Sequence, residues 1–152
     1  MSETLRLARL FFLLLAIVTV GRWTMSLKHV PYEKGTFIFS IVTLTLFSSV
    51  YYAAFARRWR AYGIGKAMVL TMTLAFCAQL VILLSTLVSY LAGLNTYFNY
   101  PTALIGPQAD VSQAVPMGQA LVARFAGLFI NTLLNAVAGA LGWAMGGLLP
   151  EK

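Results

Sequence analysis

Between Thr36 and Gly93 the only charged side chains are Arg57, Arg58, Arg60 and Lys66. They separate two apolar runs that are otherwise free of charge. Each run reaches the roughly 20 residues that an α-helix needs to cross a ~30 Å hydrocarbon layer. A basic turn between two such runs is the pattern of a transmembrane hairpin. The turn also orients it, because Lys and Arg near span ends collect on the cytoplasmic side.

Composition agrees. The chain has 152 residues, of which 60% are hydrophobic and 10% charged, with a mean hydropathy of +0.81. A soluble domain is about 25% charged. The length suits one domain. The net charge of +7 raises nucleic acid as a partner, but that requires a basic face or stripe, whereas these cations stand at the ends of apolar runs. No nucleic-acid partner is expected. Arg57, Arg58, Arg60 and Lys66 are expected to set topology and to attract anionic lipid, at about 1 kcal/mol per basic residue near the surface.

Two further helices complete the expected fold. The first covers about 5–25, with an apolar core Leu10–Gly21 flanked by Arg9 and Arg22, which can snorkel outward. Bulky Val18 and Val20 beside Arg22 make a poor cleavage site, so the segment reads as a retained helix. A polar connection, 22–35, follows, with Trp23 and Tyr32 as interfacial aromatics. The hairpin helices cover about 36–56 and 66–93. The fourth helix covers about 119–149 and is about 45 Å long at ~1.5 Å per residue; its lipid segment is Phe125–Met145, with Arg124 snorkelling at one end. Between the third and fourth helices lies the loop 95–118, with three prolines and the aromatics Tyr97, Phe98 and Tyr100. So long a loop is expected to pack as a cap or to lie on the interface.

The expected fold is therefore an all-α integral membrane protein, four transmembrane helices in an antiparallel bundle. Arg6, Arg9, Arg57, Arg58, Arg60, Lys66 and Lys152 fall on one side, and Arg22, Lys28, Lys34 and Arg124 on the other. That bias places both termini in the cytoplasm and the long loop outside. The expected location is a bacterial cytoplasmic (inner) membrane.

The most patterned segment is the fourth helix. Arg124, Asn131, Asn135, Gly142 and Gly146 share one face at helical period, and Gly142–Gly146 has the small-xxx-small spacing that lets helix backbones approach. An unpaired amide in hydrocarbon costs several kcal/mol, so this face must meet protein. One reading is packing inside the bundle, with Asn131 and Asn135 bonding to hydroxyls or to Gln79, the amide of the third helix. The other is a docking seam for another subunit, or a polar path for a solute.

Catalytic chemistry is missing from the pattern. The acids Glu3, Glu33, Asp110 and Glu151 lie in loops or termini, and none pair at a spacing suited to acid–base or metal chemistry. One cysteine, Cys77, and one histidine, His29, leave no intrachain disulfide, no cysteine-based metal site and no bis-His haem. No cofactor is expected. His29 reads as an exposed interfacial imidazole, or as a proton-sensing or quinone-contacting group completed by a partner.

These readings support an accessory subunit of a larger membrane complex, non-catalytic, docking through the polar-and-small face of the fourth helix. The alternative is a small homo-oligomeric transporter, channel or lipid-handling protein. A subunit that contributes the wall of a haem or quinone pocket is a third.

Overall fold

A computed structural model of the chain describes residues 6–148. The expected helix limits at residues 5 and 149, and Glu3, Glu151 and Lys152, lie outside the described residues. Six helices follow in order: α1 (Arg9–Leu27), α2 (Tyr32–Ile38), α3 (Ile41–Arg60), α4 (Ile64–Leu91), α5 (Pro101–Ile105) and α6 (Met117–Gly146). No strand occurs among the described residues. α1, α2–α3 taken together, α4 and α6 are each long and apolar enough to cross a membrane.

Local sequence sets the breaks. Ser40 adopts an extended backbone and its Oγ accepts from the Thr43 amide at 3.2 Å, which caps α3. The expected second helix is therefore two pieces, Tyr32–Ile38 and Ile41–Arg60, not a single rod from 36. The first helix runs on to Leu27 and takes in Arg22 and Trp23, so the polar connection expected over 22–35 shrinks to Lys28–Pro31. Ala61 ends α3 in a left-handed conformation, where Tyr62 N donates to Ala56 O at 3.1 Å. Pro101 begins α5 and Pro116 precedes α6, both positions where a missing N–H costs nothing.

α3, α4 and α6 pack as a three-helix core, and α1 lies against α3 and α4. α4 runs opposite to α6, because Thr86 meets Arg124 and Thr71 meets Gly139. α3 runs in the same direction as α6: Ser49, Val50 and Ala54 meet Asn135, Gly142 and Gly146 in turn. With lipid as solvent, apolar burial does not drive helices together, and close packing of small residues takes over that role. Here Gly142 and Gly146 lie directly on the α3 backbone at Val50 and Ala54, and Gly139 on the Thr71 side chain. α4 supplies the rest of the core through Ala67, Leu70, Leu74, Ala75 and Ala78. α1 is peripheral, burying Phe11, Leu15 and Ser26.

The long connection divides into two unlike halves. Thr96, Tyr97, Phe98 and Pro101 are buried, so 95–105 is a packed cap. Residues 106–116 are largely exposed, with Val115 buried. Asp110 orders this second half by accepting from Ser112 N, Ser112 Oγ and Gln113 Nε2 at 2.9, 2.7 and 3.1 Å.

Two glycines on α6 separate packing from propensity. A methyl group at Gly142 would run into the Val50 backbone, which has no flexible end to yield. At Gly127 it would reach only Asn131 Nδ2, at 3.8 Å. Gly142→Ala is expected to destabilise the bundle by about 1–3 kcal/mol, and Gly127→Ala to be neutral or stabilising by up to ~1 kcal/mol. Unfolding of the two variants in the same detergent checks the contrast; equal stability would mean that α3 and α6 are not in this contact.

Candidate functional site

The structure separates the expected site residues into two groups. Asn135 is buried and its Oδ1 accepts from Ser49 Oγ at 2.7 Å, while its Nδ2 donates to Asn131 O at 2.8 Å. Asn131 Nδ2 donates in turn to Gly127 O at 2.8 Å, within its own helix. Gln79 is buried on α4, but it does not form the link to these amides that the sequence allowed. With Gly142 and Gly146 seated on α3, this face is filled by the chain itself. Through Asn135, Gly142 and Gly146 it packs α6 against α3 within the chain.

The basic turn is also partly engaged. Arg57 leaves the other cations and reaches the end of α6, where its Nη1 donates to Trp143 O at 2.9 Å and Ala144 O at 3.3 Å. Its guanidinium lies over the Trp143 ring, 3.8 Å from the centroid. Trp143 Nε1 completes the clasp by donating to Tyr62 O at 2.7 Å. A cation on the last carbonyls of a helix is favoured by the helix dipole. Lys66 is exposed and lies near the Tyr62 ring, and Arg58 and Arg60 also have partners.

Arg124 departs most from expectation. It does not snorkel outward but turns into the bundle. Its Nε donates to Thr86 Oγ1 at 3.0 Å, Nη2 to Phe98 O at 2.7 Å and Nη1 to Ala103 O at 3.3 Å. One side chain thus joins α4, the cap and α5 to α6. The reason is local: Thr86 and the Phe98 carbonyl are buried polar groups, and charge-assisted bonds to them are worth more than water at the rim.

Arg22 enters the same space from α1. Its Nη1 donates to Phe39 O at 3.3 Å, a carbonyl at the end of α2. Its guanidinium also lies 5.3 Å from the Phe98 ring centroid and 5.8 Å from that of Tyr97. Arg22, Arg124, Tyr32, Ser40, Ile82 and Phe98 are among the residues around a cavity of about 130 Å³. That is the volume of about four waters, the scale of one oxyanion. Among the described residues no Asp or Glu lines it. Each guanidinium has five N–H donors; Arg124 commits three, and Arg22 commits one to Phe39 O and is also paired with the Tyr32 hydroxyl. Two cations with free donors therefore face one small cavity with no carboxylate to neutralise them.

The floor of this site is the cap, and it is fixed from every side. Tyr97 N donates to Ser26 Oγ at 2.9 Å, and Tyr97 Oη donates to Val30 O. Ser89 Oγ and Thr96 Oγ1 share a 2.7 Å hydrogen bond. Asn99 closes the turn, accepting from Thr96 N at 2.7 Å and donating to Leu94 O at 2.8 Å. Gly35 on α2 is bare because the Tyr97 ring occupies the place of its side chain, and Gly21 on α1 is bare for the Phe39 ring. Among the described residues no group of three or more His, Cys, Asp or Glu is placed to hold a metal ion.

Sequence reasoning took Arg22 as a flanking residue of the first helix and Arg124 as a snorkelling member of the polar face of the fourth, and did not connect the two. The usable signal was that each lies inside an apolar run and not beyond it. No family model matches the chain, and neither the curated proteins nor the solved structures compared with it give a match.

Burial pushes the Tyr97 phenol above its ordinary value, with Arg22 acting in the opposite sense. The neutral phenol is the form that donates to Val30, so its contribution is complete below the unfolded value of about 10. It is lost as pH rises through the raised folded value. Hydrogen exchange of the 95–100 amides is expected to accelerate in that alkaline window. Tyr97→Phe should remove the pH step and raise exchange at all pH values; a step that persists in the variant would assign it to another group.

Proposed function

We propose that this chain is an integral membrane protein of the lipid-handling kind, without catalytic chemistry of its own, and that it holds the phosphate of a bilayer lipid between Arg22 and Arg124. The observation that carries the reading is the convergence of these two guanidinium groups, with free donors, on a small cavity without a carboxylate. Ionisable groups inside membrane spans are costly and mark functional sites. Paired arginines are the usual partners of phosphate, because the planar fork matches its oxygens.

Depth supports a lipid over a free ion. Arg124 lies seven residues into α6 and Arg22 five residues before the end of α1. At ~1.5 Å per residue these are depths of about 10 Å and 8 Å. α6 has 30 residues, about 45 Å, which matches a bilayer including its headgroup regions. The arginines then sit near the boundary of headgroup and hydrocarbon, the level of lipid phosphates. Ile41, Val42 and Ile82 line the same cavity, and Val42 is also open to the surroundings of the bundle, so an acyl-bearing ligand has an apolar approach. The basic α3–α4 turn supports a cytoplasmic position for the opposite end, with both termini inside. The phosphate held here is then in the outer leaflet.

The reading as an accessory subunit that docks through α6 has less support, since α3 occupies Asn135, Gly142 and Gly146. A polar path through the bundle is likewise weakly supported, because the α6 amides are bonded within the chain.

The proposal is checked by titrating the purified protein in neutral detergent with phosphatidylglycerol and, separately, with inorganic phosphate, reading bound lipid by native mass spectrometry. Arg22→Gln and Arg124→Gln are each expected to weaken lipid binding by about tenfold or more, the effect of losing ~1.4 kcal/mol. Lys66→Gln serves as the control cation and should have little effect. If inorganic phosphate competes at equal concentration, the ligand is a soluble anion; if neither arginine variant changes binding, the site is not an anion site.

A further inference from the structure

Tyr32 lines two cavities. On one side is the arginine cavity, and on the other a larger vestibule of about 650 Å³ between the α1–α2 turn, the end of α4 and the long loop. Its volume is in the range of small-molecule sites, ~300–1,000 Å³, and exceeds anything a phosphate requires. Its wall includes His29, Asn95, Tyr97, Tyr100 and Gln113 beside Tyr32. No Asp, Glu, Lys or Arg lines it.

We infer that the lipid held at Arg22 and Arg124 is a phosphodiester whose headgroup carries an uncharged polyhydroxyl or sugar substituent, seated in this vestibule past Tyr32. The inference rests on the phosphate reading above and adds the chemistry of the headgroup. Three observations carry it. The two cavities share Tyr32 as a wall residue, so a headgroup anchored in the first lies next to the second. The vestibule wall offers neutral donors and acceptors: the exposed Asn95 amide, and the Gln113 carbonyl oxygen, whose amide nitrogen alone is committed, to Asp110. The Tyr100 hydroxyl and the His29 ring stand on the same wall. Such groups match hydroxyls, which both donate and accept.

The competing substituent is an ammonium, as in ethanolamine or choline headgroups, and the site suits it less. An ammonium needs a carboxylate or an open box of aromatic faces. No carboxylate lines the vestibule. The Tyr32 and Tyr100 rings are stacked on one another at 4.6 Å, and Tyr97 meets Tyr32 edge-on. That stack takes up one face of each of the two rings.

The test uses the full chain in neutral detergent and compares lipids with identical acyl chains. Phosphatidylmethanol carries the same phosphodiester charge without a polyol, phosphatidylglycerol and phosphatidylinositol carry one, and phosphatidylethanolamine carries the ammonium. Phosphatidylinositol and phosphatidylglycerol are expected to bind at least about tenfold tighter than phosphatidylmethanol, a difference of ~1.4 kcal/mol. The double substitution Asn95→Ala with Tyr100→Phe, on the outer wall, is expected to erase that preference while phosphatidylmethanol binding stays. Equal binding of phosphatidylmethanol and phosphatidylinositol by the unaltered protein would overturn the headgroup inference and leave the arginine site standing. Tightest binding of phosphatidylethanolamine would overturn it in favour of an ammonium site. Binding of all four lipids that ignores Arg22→Gln and Arg124→Gln would remove the phosphate reading itself.

Discussion

The Arg124 guanidinium is the joint on which one end of the molecule depends. It bonds α4, the cap and α5 at once. The Phe98 carbonyl, its shortest partner, has a second donor in Thr86 Oγ1 at 3.1 Å. Thr86 has a single hydroxyl proton, which is divided between Phe98 O and Ile82 O at 2.9 Å. Without the arginine, a buried carbonyl would rest on half of one hydroxyl. A charged hydrogen bond of this kind contributes about 1.5–3 kcal/mol, comparable with the closure cost of a loop of this length. The cap is therefore tied to α6 by a cation of that helix, beside its bonds to α1 and α4.

The other end is built on a different principle. There α3 and α6 meet through glycine on backbone, with Arg57 on the final carbonyls of α6 and Trp143 on the turn. Such contacts depend on shape and tolerate little change, which makes the three-helix core stiff. The arginine end depends on charge and on hydrogen bonds that a ligand can share or replace. α1, which brings Arg22, buries few of its residues and is held mainly at its ends, by Phe11 and Leu15 and by the Trp23 Nε1 bond to Ser85 Oγ at 3.4 Å.

Much of this was legible before the structure. The charge-free runs on either side of Arg57–Lys66 specify the hairpin, because nothing but lipid or a very large core accommodates two such runs. The period of Asn135, Gly142 and Gly146 marks a face of α6 that must meet protein, because its amides are costly in lipid. The sequence could not show what that face meets: helix period gives a face, but not its neighbour, and here the neighbour is α3 of the same chain. The break at Ser40 was hidden among the hydroxyls of an apolar run, any of which could have bonded back within a continuous helix. The arginine pair was hidden for a related reason. A long side chain near the end of a span can point outward or inward at similar cost, and the choice depends on whether a buried acceptor waits inside. That acceptor, Phe98 O, lies in a loop with no regular pattern, so its position follows from tertiary structure alone.

The same dependence bears on function. Like charges that face one cavity repel, and their mutual energy rises as water is excluded. The fold tolerates this because each guanidinium has some neutral partners, carbonyls for both and ring faces for Arg22. Carbonyls relieve desolvation but do not cancel charge. An anion between the arginines does both, and by linkage whatever binds the folded form stabilises it, by about 2.7 kcal/mol at a hundred times the dissociation constant. Because Arg124 also fixes Phe98 and Ala103, that stabilisation reaches the cap, and through Tyr97 and Tyr32 the wall of the vestibule. On the proposed reading, occupancy of the small charged cavity would shape the larger neutral one, and headgroup chemistry would be read in two steps: charge first, at the level of the phosphate, then hydroxyls beyond it.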